Sequence, residues 1–253
     1  MNNVLVTGAS GLIGGILNFK LTDHNLFGLD IKECDYKNFE ISNISDSNKL
    51  EIIMTINKID TVVHLAGNAS VNADWDSLSE NNFTGTLNVF NACQETEVKK
   101  IIFASSNHAV GLFENDSPYK EIIAGDYKKV PKKYSLITPN CDVRPDSLYG
   151  VSKAYGENLG RFFYENYNIK IACLRIGSVI PNDNPKVKNS NRFYSTWCSH
   201  EDIAGLVDAC IKSNNVEYDI FYGVSDNDWK IWDISNAEKI LSFKPTSNSE
   251  TYR

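Results

Sequence analysis

"VLVTGASGLIGG", residues 4–15, places a short apolar run directly before three glycines at Gly8, Gly11 and Gly14. Val4 to Thr7 reads as a strand covered on both faces, and a helical pattern begins at about Leu12. A strand that turns on glycine into a helix has a specific use. Gly8 permits the tight turn, Gly11 lets the backbone approach a pyrophosphate, and Gly14 lets the helix pack closely on the strand. The helix mouth offers free N–H groups and the positive end of its dipole. The spacing is GxxGxxG, and such glycines can also make a simple turn. The strand–turn–helix context favours a dinucleotide phosphate site, with Ser10, Leu12 and Ile13 as further cofactor neighbours.

Outward from this turn, short β-rich runs alternate with longer helical ones. Strands are expected at 4–7, 26–30, 61–67, 100–106, 169–177 and 218–224, and helices at 12–21, 46–57, 76–96 and 147–167. That alternation implies right-handed βαβ units and the α/β class, a Rossmann-like doubly wound parallel sheet. Residues 1–177 form the expected cofactor-binding domain. Residues 178–253 form a small substrate-binding region packed on it. Two stretches, 112–145 and 181–191, read as irregular. In the last helix, Val151, Tyr155, Leu159 and Phe162 recur at helical steps and are expected to form its buried stripe.

Bulk properties narrow the function classes. The net charge of −7 argues against non-specific nucleic-acid binding and against an anionic membrane surface. No apolar run reaches membrane-spanning length, and the N-terminus lacks a signal-peptide pattern. The six cysteines form no CxxC, and the four histidines lack metal-ligand spacing, so a cytoplasmic protein without a metal site is expected.

Asp30 closes the second strand 22 residues after Gly8. An acidic side chain there accepts from the adenosine ribose 2′-OH and repels a 2′-phosphate, which favours NAD. Lys32 could reach such a phosphate, so NADP stays open. Asn43 and Ile44 are candidate adenine neighbours. Leu65, Ala66 and Gly67 at the third strand's end, and Ile176 at the fifth's, join the cofactor set.

"PDSLYGVSKAYGEN", residues 145–158, puts Tyr149 and Lys153 four apart, on one helix face. A free tyrosine is a poor base at neutral pH. A cation one turn away favours its phenolate, as does the positive charge of an oxidised nicotinamide, and the Lys153 ammonium can also hold the nicotinamide ribose. Ser106, ending another strand, can hydrogen-bond the reacting oxygen. Together they suit proton transfer beside a hydride acceptor. A surface Tyr and Lys would produce the same spacing. The order of GxxGxxG, "ASSN" and YxxxK along the chain favours the site.

At this point the sequence resembles the extended short-chain dehydrogenase/reductases, over nearly its whole length. Within them "FASSNHAVG" (103–111), "RPDSLYGVSKAYGENLGRF" (144–162), "LRIGSVIP" (174–181), "RFYSTWCSHEDI" (192–203) and "YGVSDNDWKIWD" (222–233) resemble uronate dehydrogenases, and the archaeal NAD-dependent glucose-6-phosphate dehydrogenases are similar in pattern. The resemblance implies a sugar substrate. Asn107, His108 and Ser178 would then bond its hydroxyls and carboxylate, and Arg192 would fork its acidic group. Asn68, Ala69 and Ser70 would lie near the nicotinamide, with Ser70 touching substrate. Helices beside the Tyr–Lys helix would pair subunits in a homodimer or larger homo-oligomer. Trp197, Trp229 and Trp232 are expected to pack rather than stack on ligand. The chain departs from the family in the 43-position span from Ser106 to Tyr149 and in an extended loop from Ser178 to Arg192. Both insertions would lie at the sheet edge where ligands bind. Lys128, Lys129, Lys132 and Lys133 in the first insertion read as a solvated run.

The leading expectation is an NAD-dependent dehydrogenase that oxidises the anomeric hydroxyl of a hexuronate to a lactone. A sugar-phosphate dehydrogenase, a nucleotide-sugar epimerase or dehydratase, and a non-catalytic nucleotide sensor remain as alternatives.

Overall fold

In the computed structural model, which describes residues 2–253, the strand after each helix returns parallel to the one before. The elements are β1 (Asn3–Thr7), α1 (Leu12–Lys20), β2 (Asn25–Asp30), β3 (Asn38–Ile41), α2 (Ser47–Ile56) and β4 (Thr61–His64). Next, α3 (Trp75–Leu78) passes through a π-helical turn at Ser79–Thr84 into α4 (Gly85–Glu95), followed by β5 (Lys100–Ser106) and α5 (Tyr119–Ala124). The remainder is α6 (Leu148–Tyr167), β6 (Lys170–Ile176), α7 (Arg192–Thr196), α8 (His200–Lys212), β7 (Tyr218–Gly223) and α9 (Ser235–Leu241). The seven strands lie in the order β3-β2-β1-β4-β5-β6-β7, all pairs parallel. The order reverses direction at β1, whose neighbours are β2 and β4, so a crevice opens there at the carboxyl ends of the strands.

The continuous apolarity of the strands has its reason in this arrangement. Val4 and Val6 of β1 join the core beneath α1 and α8, whereas Leu5 between them joins the core beneath α2 and α4. In β5 the same alternation sends Ile102 and Ala104 one way and Ile101 and Phe103 the other. Fully burying one such large apolar side chain contributes roughly 1.5–3 kcal/mol.

Caps set the helix starts. Asp46 accepts from Lys49 N at 3.0 Å before α2, and Ser147 Oγ accepts from Gly150 N at 3.0 Å before α6. The expected stripe of α6 is corrected by the structure. Tyr155 and Leu159 are half-buried, Leu159 against the core and Tyr155 against Phe83, but Val151 and Phe162 are exposed, and the buried face carries Tyr149, Ser152, Lys153, Gly156, Gly160 and Phe163. The small residues decide this. A Cβ on Gly156 would lie 2.2 Å from the Phe103 ring, so the helix backbone itself seats against β5. Apolar spacing alone does not register such a contact.

The stretch 112–145 is also more ordered than its composition suggests. It contains α5 and short 3-10 turns, and Ile122 and Ile137 are buried with Tyr222, Ile231 and Trp232 in a third core cluster. Backbone hydrogen bonds from Ile137 N to Ile231 O and from Asp233 N to Ile137 O stitch it to the C-terminal part. Trp197 and Trp232 are buried and Trp229 stacks on Tyr127, as packing residues do. No described helix is long and apolar enough to cross a membrane.

Candidate active site

The carboxyl ends of β1, β4, β5 and β6 open on a cleft of about 930 Å³. Its floor at one end is the turn after β1. Gly8 has φ +76°, and a Cβ there would meet Ala66 N at 2.7 Å, so only glycine fits. Gly11 caps α1 without a side chain, and Leu12, Ile13 and Gly14 supply the first-turn N–H groups, which have no partners inside the helix. All four line the cleft, as do Gly8 and Ser10. Asp30 fixes this turn from β2: its Oδ2 accepts from Ser10 N at 3.0 Å and its Oδ1 from Lys32 N at 3.1 Å. A bare backbone cradle at a helix mouth, with a carboxylate beside it, fits a dinucleotide's pyrophosphate and ribose. Asn43, Ile44, Leu65, Ala66, Gly67 and Ile176 line the same cleft, and so does Lys32.

Tyr149 and Lys153 face the other half, both nearly buried at 8% and 7% exposure. The Lys153 Nζ lies 5.6 Å from the Tyr149 ring centre and 5.2 Å from that of Phe103. Burial lowers the lysine to a pKa of about 8. The expected depression of Tyr149 is absent. Burial raises its pKa, the Asp146 charge adds to the rise, and only the Ser106 hydroxyl pulls it down. In the cofactor-free site desolvation penalises the phenolate more than the Ser106 hydrogen bond rewards it.

Ser106 ends β5, and its Oγ accepts from His108 N at 3.2 Å, which starts a 3-10 turn over Asn107–Asn115. That turn delivers Asn107 and His108 to the cleft. His108 packs edge-on to Tyr149, with ring centres 5.8 Å apart, and its Nδ1 is 2.7 Å from Asp146 Oδ2. Burial works against the Asp146 charge, but the His108 hydrogen bond and charge outweigh it and hold the carboxyl below its ordinary pKa. Asp146 thus fixes the imidazole, leaving Nε2 for a ligand.

Ser178 and Arg192 also line the cleft. Ser178 Oγ is 2.8 Å from Thr196 Oγ1. The Arg192 fork is not free: Nε and Nη2 donate to the Glu114 carboxylate at 2.6 and 2.8 Å. The Asn107 amide, oriented to satisfy its neighbours, donates to Ile176 O at 3.1 Å and accepts from Arg192 Nη2 at 2.8 Å. Ser70 is the one expected site residue left outside. It is exposed, and its hydroxyl accepts from Asn72 N at 3.2 Å in a local turn, while Asn68 and Ala69 do line the cleft. The Asn68 loop is tied down by Asn82, whose side chain bonds both Asn68 N and Asn68 O and donates to Ser152 Oγ of α6. Asn82 sits in the π-helical turn, a common device at functional sites. Asn82, Glu114 and the cleft-lining Lys188 escaped the sequence reading. The first lay mid-helix and the other two lay in stretches read as irregular.

A doubly wound sheet with a glycine turn at its switch point and a buried tyrosine–lysine pair facing the same cleft defines a dinucleotide-binding protein equipped for proton transfer. A model of the NAD dependent epimerase/dehydratase family matches residues 4–201. The chain belongs to that family. It is 32% identical to the NAD-dependent glucose-6-phosphate dehydrogenase of Haloferax volcanii, covering 98% of this chain and 95% of that one. It is 30% identical to uronate dehydrogenase of Pseudomonas syringae pv. tomato, covering 100% of this chain and 84% of that one. Its fold matches a crystal structure of a uronate dehydrogenase mutant from Agrobacterium tumefaciens complexed with NAD, with a TM-score of 0.82, 29% identity, and coverage of 100% of this chain and 88% of that one.

Proposed function

We propose that this protein is an NAD-dependent sugar dehydrogenase that oxidises the anomeric hydroxyl of a hexuronate to an aldarolactone. The carrying observation is that Tyr149, Lys153 and Ser106 face the same cleft as the glycine turn. Bound NAD would supply the hydride acceptor for the anomeric carbon. The positive charge of bound oxidised nicotinamide, added to the Lys153 ammonium, would offset the burial that raises Tyr149 and favour its phenolate, which accepts the hydroxyl proton, and Ser106 orients the reacting oxygen. Lys153 holds the nicotinamide ribose. His108, pinned by Asp146, and Ser178 and Asn107 position the sugar, and Arg192 faces its acidic group. Gly8, Gly11 and Gly14, with Ser10, Leu12 and Ile13, cradle the pyrophosphate. Asp30 holds the adenosine ribose, Asn43 and Ile44 flank the adenine, and Leu65, Ala66, Gly67 and Ile176 line the path between them. Residues 1–177 hold the cofactor, and 178–253 contribute Ser178 and Arg192 to the sugar side.

A sugar phosphate is the second reading. Lys188 lines the cleft and stands over the Phe193 ring beside Arg192, offering a second cation near the acidic group. The exposed apolar residues Val151 and Phe162 of α6 support pairing of this helix with a second copy, hence a homodimer or larger homo-oligomer. The six unpaired cysteines, four of them buried, suit a reducing compartment and support a cytoplasmic location.

The test is NADH absorbance with NAD or NADP and a panel of glucuronate, galacturonate, glucose 6-phosphate and neutral aldoses. Accumulation of NADH on a uronate is expected. Conversion without net NADH would point to an epimerase. Tyr149→Phe is expected to cost about 10³-fold in kcat, and unchanged turnover in that variant would refute the assignment.

A further inference from the structure

We propose that Glu114 sets the discrimination between acidic and neutral sugars by occupying the Arg192 fork. The inference rests on the reading of the cleft as a sugar site, and the inventory of donors carries it. A guanidinium has five N–H groups. Glu114 takes the Nε–H and one Nη2–H, at 2.6 and 2.8 Å, and Asn107 Oδ1 takes the other Nη2–H at 2.8 Å. Only the two Nη1–H groups remain for a ligand. Arg192 lines the cleft while Glu114 does not, so the carboxylate grips the guanidinium from behind.

The pair is also partly shielded. Glu114's side chain is 11% exposed and Arg192's 23%. The bidentate geometry is the one by which arginine recognises a ligand's carboxylate, and here the protein's own carboxylate satisfies it. A substrate carboxylate on the Nη1 edge therefore meets a cation already neutralised, with a like charge on the order of 7 Å away. A C6 hydroxymethyl group bonds the same edge without that repulsion. Glu114 thus weakens acidic ligands selectively and leaves neutral ones little changed.

Glucose and glucuronate differ only at C6 and make the probe pair. The readout is the ratio of kcat/KM on glucuronate to kcat/KM on glucose, measured with NAD. Glu114→Gln, which keeps the shape and removes the charge, is expected to raise that ratio about ten-fold. Glu114→Asp, which keeps the charge, is expected to hold the ratio within about three-fold of the wild type. A ratio that stays level or falls in the Gln variant overturns the proposal, because Glu114 then serves only to prop Arg192. An equal rise in both variants overturns it too, because loosened packing rather than charge would be the cause. If the wild type oxidises no sugar, the reaction reading fails, and calorimetric titration of glucuronate into the NADH-loaded proteins decides for Glu114. A gain of about ten-fold in affinity in the Gln variant upholds the assignment, and no gain or no binding overturns it.

Discussion

Replacing Lys153 by Met should make this protein more stable while removing its activity. Lys153 lies 7% exposed between Phe103 and Tyr149, and among the described residues no carboxylate pairs with it. Burial holds its pKa at about 8, against 10.5 in an open chain. The sign follows from proton counting. Between about pH 8 and 10.5 the unfolded chain carries a proton that the folded chain has released, so stability rises with pH across that window. Below pH 8 the charged lysine is buried at full cost, about 3 kcal/mol. Methionine keeps the straight stem and its packing on Phe103 and removes the charge. Urea unfolding of the cofactor-free protein should therefore show Lys153→Met more stable by about 2–3 kcal/mol at pH 7, with the gain shrinking toward pH 10. Turnover should be lost. A destabilised variant, or a gain that does not change with pH, would refute this account of the lysine's environment.

Three further outcomes follow from other parts of the structure. Asp30→Ala removes the carboxylate that would repel a 2′-phosphate and leaves Lys32 in the cleft, so the preference of kcat/KM for NAD over NADP should fall by at least about ten-fold. Asp146→Asn withdraws the charge that pins His108 Nδ1 at 2.7 Å; kcat/KM should drop about 10- to 100-fold, with cofactor affinity by fluorescence titration unchanged. Glu157→Gln strips the partner from buried Arg175, whose Nε and Nη2 each donate to it at 2.9 Å. Chemical denaturation should then show a loss of about 3–5 kcal/mol, because an uncompensated charge remains inside.

The elements legible in the sequence were those governed by local rules. A short apolar run such as Val4–Thr7 reads as a strand covered on both faces, and glycines at 8, 11 and 14 directly after it suit a backbone that turns and is approached closely. Tyr149 and Lys153 share a face because a helix repeats every 3.6 residues. The chain order of these pieces fixed the sheet's polarity and thereby the end at which a ligand binds.

Burial and long-range pairing lay beyond that reading. The expected α6 stripe was half right: Tyr155 and Leu159 pack, but Val151 and Phe162 are exposed because the helix seats on Gly156, which packs through absent atoms that hydropathy does not count. Tyr149's pKa rises rather than falls because desolvation depends on everything that covers a residue, not on the lysine four positions away. Glu114 and Arg192 stand 78 positions apart, and only the folded chain brings one's carboxylate onto the other's guanidinium. Local sequence marked the glycine turn and the Tyr149–Lys153 pair, while tertiary packing brought Asn82, Glu114 and Lys188 to the site, left Ser70 out, and decided how each group is charged and what it already holds.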